Sequence, residues 1–543
     1  MRPILRIQSR PLRSNWSNLL GVRNCCVRDY SRSTKANVPK YPRIEHSGIP
    51  MRIPEFREKY RGIETHVTAD EEVVLRGRVQ FIRKASSKLI FIVLKSEFEQ
   101  VQGLFNFGKL EAAGVTLDSF KTISTNLQRG HIISVTGKAT RTPSGELSIG
   151  ATQMPDILSP NLLPLPVDLS DVDTRIGNRH VDMLVNRKTV DTLRLRSYLI
   201  KYMREFFHER HFLEFQTPIL AGAAGGAAAA PFTTATTDSL SKDLSMRIAP
   251  ELWLKRLVVG GVDKVFELGP SFRNEGIDQT HNPEFTTCEF YSAYANLDDL
   301  IHLTETLVYG IAEHCSGLIA TKLESLAPVE VAKYRGPFKQ LEFLPVLEAE
   351  LDMHFPDLVR PDAFADLTQR LEAKGITHKE PTLAKLLDKL AAGYLEPHSR
   401  DAALFITHHP VCMSPLAKSF ICPRTGQQIS ARAELFMDEK EMANMYEEEN
   451  DPAAQRQKFV DQVRQQQCDG GGVADEEILI DEGYVQVLES GLPPTGGWGC
   501  GIERLVMQFS GSKRISEVLS FGNLRNVVAA SRLRKPRVDE VEA

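Results

Sequence analysis

Cysteine is sparse in this chain and carries no pattern. The eight cysteines are Cys25, Cys26, Cys288, Cys315, Cys412, Cys422, Cys468 and Cys500. None forms a CxxC pair, so neither a zinc ribbon nor a disulfide framework is expected, and reduced thiols are the default. His408, His409 and Cys412 lie close in sequence, but no second cluster accompanies them, and no zinc site is assigned there. Long apolar runs are missing too. No stretch of about 18 apolar residues exists, which excludes an ordinary membrane-spanning helix. The blandest segment, Ala221–Ala230, is short and Gly/Ala-rich. No internal repeat is evident.

Acid is scarce at the N-terminus. Residues 1–40 contain nine Lys and Arg and one acid, Asp29, a net +8 against −12 for the remainder, which together give the overall −4. An Arg-rich, Ser-containing, nearly acid-free segment interleaved with Leu, Ile, Trp and Val has the composition of a mitochondrial transit peptide, here residues 1–34. The run Arg28-Asp29-Tyr30-Ser31 resembles a matrix-protease site, with Arg two residues before the cut. The mature chain is therefore expected in the mitochondrial matrix; a disordered basic tail that touches RNA is the alternative. The acidic remainder does not exclude a nucleic-acid partner, because a local basic face attracts phosphates whatever the net charge.

The length suggests two to four domains at about 100–200 residues each. Residues 41–70 read as a helical lead-in. From Val73 the pattern turns β-like, through VVLRGRVQFIRK, KLIFIVLKS, VQGLFNF, HIISVTGKATRT and GELSIGATQM, with Pro143-Ser144-Gly145 as a hairpin. Five short strands, with Gly77 and Gly137 where a sheet must bend, suit a small Greek-key barrel of the OB type over residues 41–165. The Pro-rich SPNLLPLPVD at 159–168 reads as a linker. Residues 187–212 have helical spacing, with Leu193, Tyr198, Leu199, Met203 and Phe206–Phe207 on one broad face. An α/β region of residues 170–535 follows, with a mostly helical insertion at about 320–400, and the C-terminal KPRVDEVEA is expected to be loose.

The most informative segment is Arg247–Leu300. KVFELGPSFRNE and EFTTCEFYSAY read as two strands around the polar loop Gly276–Pro283. Residues two apart on a strand share a face, so Arg273 with Glu275, and Glu289 with Tyr291, are expected to line one pocket. A solvated hairpin with ordinary surface charge explains any one of these residues. The whole string instead resembles the second signature motif of class II aminoacyl-tRNA synthetases, in its lysyl-specific form. FLEFQTPIL (Phe212–Leu220) resembles the first motif, and GLPPTGGWGCGIERLVMQFSG (Gly491–Gly511) the third, in the order that the family requires. HHPVCMSPLAKS and RAELFMDEKEMANMYEEENDP, between motifs two and three, also resemble lysyl enzymes. The resemblance covers about residues 45–530. It implies an α+β protein: an OB-type barrel for the anticodon, then a class II catalytic domain with an antiparallel sheet flanked by helices.

It also implies roles. Lysine would be activated by ATP as lysyl-adenylate and passed to tRNA(Lys). Arg273 would bridge the lysine carboxylate and the α-phosphate, as a rigid bidentate donor can. Arg504 would hold the γ-phosphate. Phe285 would stack on adenine with Arg504 on the opposite face, and Asn274, Glu275, His281, Asn282, Met442 and Gly501 would complete the nucleotide site. The motif-three glycines would let ATP approach the backbone. Glu434 and Glu441 would hold Mg²⁺, which prefers hard oxygen ligands; they lie either on one strand or, with a turn at Asp438–Lys440, on adjacent ones. Glu289 and Glu448, aided by Tyr291, would hold the lysine ε-ammonium, since a buried ammonium must be paired. Glu251, with Gly226, would take the α-ammonium, and Asn444 would lie near the carboxylate. Pro218 would mark a homodimer interface. Phe91, Gln102 and Glu146 would read the anticodon, although Phe91 also suits a core position.

The chain departs from the family pattern at Pro270-Ser271, at Glu447 and Glu449 flanking Glu448, at FGNLRN, and at Gln508. The added acids put the lysine pocket in question. An aspartyl or asparaginyl enzyme, a ligase acting on protein, and a non-catalytic RNA-binding module are the competing readings. The acids at 289 and 448, the barrel, and the retained Arg273 with Arg504 argue against them in turn.

Overall fold

The computed structural model describes residues 41–44, 49–222, 229–237, 244–468 and 481–531. The segment read as a transit peptide, the C-terminal tail and Gly226 lie outside the described residues. The chain forms two compact units, Met1–Pro166 and Val167–Ala543.

The first unit is a closed barrel. Its strands are β1 (Ile49–Met51), β2 (Thr68–Ser86), β3 (Leu89–Ser96), β4 (Glu99–Asn106), β5 (Ile132–Arg141), β6 (Leu147–Ala151) and β7 (Asp156–Ser159). The order β1-β2-β3-β4-β6-β5-β7 is closed by a β2–β5 pairing. The lead-in holds one short helix, α1 (Ile53–Lys59), whose Ile53 and Phe56 join a core with Val73, Leu75, Ile92, Phe105 and Val135. Gly137 is needed where β5 crosses β6: a Cβ there would lie 2.2 Å from the Gly150 carbonyl oxygen.

The second unit is built on one eight-stranded sheet. In chain order its main elements are α2 (Arg187–Glu209), β8 (Leu213–Glu214), α3 (Glu251–Val259), β9 (Lys264–Phe272), β10 (Glu284–Ala293), α4 (Leu297–Thr321) and β11 (Lys339–Glu342). Then come α5 (Phe343–Leu351), α6 (Ala363–Ala373), α7 (Leu383–Tyr394), β12 (Leu404–Thr407), β13 (Arg432–Met437), β14 (Lys440–Glu447), α8 (Pro452–Cys468), α9 (Glu482–Leu488), β15 (Thr495–Gly501) and α10 (Ile502–Ser510). The sheet order is β11-β12-β13-β14-β15-β10-β9-β8, antiparallel except at the two edge pairs. Helices α2, α4 and α10 pack on one face through Leu199, Met203, Phe207, Ile311 and Val506. The segment 320–400 contributes α5, α6 and α7 with their own apolar cluster, and also β11, which extends the sheet.

Two details differ from the sequence reading. The buried stripe of α2 centres on Leu195, Leu199, Met203 and Phe207; Leu193 and Tyr198 are only half-buried, one step round the helix. Strand β9 ends at Phe272, so Arg273 and Glu275 share a loop and not a strand face. No helix of the described residues is long and apolar enough to cross a membrane.

Candidate active site

A cavity of about 480 Å³ opens on the sheet face away from α2 and α4. Arg273, Glu275, His281, Asn282, Phe285, Glu289, Tyr291, Glu251, Glu434, Glu441, Met442, Asn444, Gly501 and Arg504 line it. Asn274 and Glu448 do not: Asn274 is exposed, its backbone amide donating to Ala230, and Glu448 is buried behind Gly497.

The inner end is buried and acidic. Glu289 on β10, Glu251 at the start of α3 and Glu448 just past β14 are 7%, 4% and 1% exposed. Tyr291, two residues from Glu289, donates its hydroxyl to Glu289 Oε2 at 3.3 Å. Gly497 and Gly499 of β15 pair with Tyr291 and Glu289. A Cβ at Gly497 would lie 1.8 Å from Glu448 Oε1, and one at Gly499 would lie 3.3 Å from Glu289 Cγ. These two motif-three glycines therefore make room for acids, whereas Gly501 faces open space. Burial, reinforced by Glu251, pushes the Glu289 carboxyl up to about 8, and burial also raises Glu448.

The inner end has a fourth member that sequence reasoning overlooked. Lys255 on α3 is fully buried, donates to Glu251 Oε1 at 2.6 Å and meets Glu448 Oε2. Tyr446 donates to the same Glu251 oxygen at 2.8 Å. Part of the signal was present: Glu251 and Lys255 are four apart in the helix ELWLKRLVV, the spacing at which a charged pair shares one face; the pairing with Glu448 was not visible.

The outer end is more open. Arg504 on α10 donates to the Glu441 backbone oxygen at 2.9 Å and to Glu441 Oε2 at 3.1 Å, and its other Nη lies 3.0 Å from His281 Nε2. Guanidinium cannot accept, so Nε2 accepts and Nδ1 carries the proton toward Asp278 Oδ2, 2.8 Å away. Asn282 accepts from the Leu524 amide of the FGNLRN segment at 3.0 Å. The Arg273 guanidinium lies 5.2 Å from the centre of the Phe285 ring, so the described contact on that ring is Arg273. Glu503 fixes the motif-two strand by accepting from the Thr286 amide and from Arg196 at 2.8 Å.

Glu434 and Glu441 are on adjacent strands, β13 and β14, joined by Asp438–Glu439, both with positive φ. Burial would raise Glu434, but Arg432 and His409, the latter 3.1 Å away, hold it down at about 2. Burial, together with Glu434 and Glu441, raises Asp388, and it raises Glu396 to about 7. Glu434 Oε1 meets Arg432 and Oε2 lies 3.1 Å from His409, and no cluster of three or more metal-ligating side chains occurs among the described residues, so a cation held here would take most of its ligands from elsewhere.

The departures from the family pattern find partners. Glu449 is buried against Lys458 Nζ at 2.6 Å, and Glu447 accepts the Leu297 amide at 3.1 Å, so neither acid forms part of the cavity lining. Ser271 bonds Thr287 at 2.9 Å, and Gln508 donates to the Tyr334 hydroxyl at 3.1 Å. Gly522 is forced by a positive φ and by Ile176, 2.5 Å from where a Cβ would stand.

On the barrel, Phe91 and Gln102 share the outer face of β3 and β4, and neither enters the core. Arg83 lies 4.6 Å over the Phe91 ring, Phe81 is 60% exposed beside them, and Glu146 is exposed at the start of β6.

Comparison with known proteins is consistent across both units. Residues 171–525 match a family model described as class II tRNA synthetases (D, K and N), and residues 73–157 match an OB-fold nucleic acid binding domain. The mitochondrial lysine–tRNA ligase of Schizosaccharomyces pombe is 40% identical over 91% of this chain and 92% of its own length. That of Saccharomyces cerevisiae is 34% identical over 90% of each. A probable cytoplasmic lysine–tRNA ligase of Encephalitozoon cuniculi is 36% identical over 91% of this chain and 95% of its own length.

Proposed function

The chain belongs to the lysine–tRNA ligases of the class II tRNA synthetase family, ATP-dependent enzymes that join lysine to tRNA, and from that premise we propose how its residues divide the work. Lysine enters with its ε-ammonium between Glu289 and Glu448, beside Tyr291, and its α-ammonium at Glu251, with Gly226 and Asn444 completing the amino-acid site. Arg273 holds the lysine carboxylate against the α-phosphate for in-line attack, which positioning and charge neutralisation promote. Arg504 neutralises the terminal phosphate. Phe285 stacks on the base, and Asn274, Glu275, His281, Asn282, Met442 and Gly501 complete the nucleotide site. Glu434 and Glu441 would hold a Mg²⁺ ion, which would supply charge neutralisation to the phosphates.

The exposed aromatic and basic face of the barrel, with Phe91, Gln102 and Glu146, reads the anticodon of tRNA(Lys) by stacking and base-edge bonds. Residues 1–34 direct the chain to the mitochondrial matrix, in keeping with the composition of that segment and the names of two relatives. Leu213, Ile219 and Leu220 around Pro218 are exposed apolar side chains, which supports a second copy covering them.

The observation that carries the reading is the buried cluster at the inner end of an arginine-flanked cavity: Glu251, Glu289 and Tyr291 on its lining, with Glu448 behind Gly497. Amino-acid-dependent pyrophosphate exchange over all twenty amino acids tests it: lysine alone supports exchange, and exchange driven by asparagine or aspartate in place of lysine overturns it.

A further inference from the structure

We propose that Lys255 is a specificity-determining positioning residue, a permanent internal cation that sets the charge of the amino-acid pocket to match a substrate with two ammonium groups. The proposal rests on the lysine reading above. Three carboxylates, Glu251, Glu289 and Glu448, converge at the inner end of the cavity. The Lys255 ammonium is fully buried, bonds Glu251 at 2.6 Å and meets one oxygen of Glu448. Glu448 Oε1 has no hydrogen-bond partner among the described residues and lies beside Gly497; the glycine is on the cavity lining and Glu448 is behind it.

The charges then add simply. With all three acids ionised, as bound lysine requires, they and the one internal cation leave a pocket of net charge −2. Lysine presents two ammoniums there, while its carboxylate goes to Arg273. Every buried charge finds an opposite when the substrate is in place. Without Lys255 the third acid would be unpaired, and a desolvated unpaired carboxylate takes up a proton.

The groups facing Lys255 come from four elements. They are Glu251 on its own helix, Tyr291 on β10, Tyr446 with Glu448 at the end of β14, and Tyr484 on α9. The three tyrosine rings lie 5.7 to 5.8 Å from the ammonium. Burial opposes its charge, but Glu251 and Glu448 outweigh that and hold Lys255 protonated. Of the three carboxylates, Lys255 orients two, and the cavity lining contains Glu251 and Glu289.

The test is the pH profile of lysine kcat/KM in pyrophosphate exchange for Lys255→Met, a close match in shape. The acid limb moves upward by about one pH unit or more, as expected when a buried acid loses its cation. Lysine kcat/KM falls about tenfold or more at pH 7, while the ATP KM stays within about twofold. Lys255→Arg, which keeps the charge, restores the wild-type limb. A Lys255→Met enzyme with lowered activity but an unshifted limb overturns the proposal and leaves Lys255 as packing. If Lys255→Met does not fold, folding of Lys255→Met/Glu448→Gln, which removes one charge of each sign, supports the charge match, and its failure to fold overturns it. Absence of lysine-driven exchange in the wild type sinks the lysine reading itself, a different outcome from an unshifted limb.

Discussion

At one end of the cavity three acids are each less than a tenth exposed, and two of them, Glu251 and Glu448, share a single internal cation. At the other, the side chains of His281 and Glu441 are 48% and 39% exposed, and Arg504 reaches both. The two ends solve different recognition problems. A buried acid that stays unpaired when the wrong amino acid enters imposes a large penalty, which is how a site rejects an analogue lacking a polar group. A polyphosphate arrives with its own charge, water and metal, and needs mobile, solvent-reachable arginines more than a dry wall. On the proposed reading, discrimination belongs to the inner end and charge neutralisation to the outer one.

The largest expected effect is at the junction. Arg273→Ala lowers adenylate formation by ~2–4 kcal/mol, the scale of a lost transition-state donor, read as kcat/KM in pyrophosphate exchange; a loss confined to the KM for ATP would move Arg273 to the outer end alone. Next, Glu289→Gln raises the lysine KM about 10- to 150-fold, the ~1.5–3 kcal/mol of a charged hydrogen bond, with the ATP KM unchanged. Equal changes in both KM values would erase the contrast between the ends. Smaller again, Phe91→Ala on the barrel raises the tRNA KM in aminoacylation by the ~1–3 kcal/mol of one base stack and leaves pyrophosphate exchange as it was. An exchange defect of the same size would place Phe91 in the folding of the barrel.

The smallest effect is a titration. The Glu289 carboxyl lies at about 8 against an ordinary 4.5. Between those values the folded, ligand-free protein binds more protons than the unfolded chain. Its stability from this group is full below 4.5, falls as pH rises toward 8, and is level above. Bound lysine requires the ionised form, so the rise in Tm produced by lysine grows from pH 6 to pH 8, and calorimetry in buffers of different ionisation enthalpy registers proton release on binding. A lysine-induced Tm shift independent of pH would mean that Glu289 is already ionised in the free protein.

Legibility from sequence followed periodicity and spacing. The β3–β4 hairpin and α2 were readable because alternation and helical spacing persist over many residues, and motif two because its strand partners are adjacent in sequence. The turn that brings Glu434 and Glu441 onto adjacent strands was readable only as one of two options, since no glycine marks it and, of its two positive-φ residues, Asp438 is of a type enriched there while Glu439 is not. The role of Lys255 was not readable, because its partner Glu448 lies 193 positions away and only the crossing of α3 past the end of β14 brings them together. The place of Glu449 was hidden for a related reason: its partner Lys458 sits on the next helix, α8. The end of β9 at Phe272 was missed because FRNE keeps strand-like composition after the chain has turned away.

Norleucine has the length of lysine and no ε-ammonium, which makes it the most direct probe of the inner end. Its inhibition constant against lysine in pyrophosphate exchange, measured for the wild type and for Glu289→Gln, decides the matter. The account predicts that norleucine binds the wild type at least about 100-fold more weakly than lysine, as expected when buried acids are left unpaired, and that Glu289→Gln narrows the gap. Norleucine binding as tightly as lysine to the wild type would contradict the claim that the buried acids read the cationic side chain.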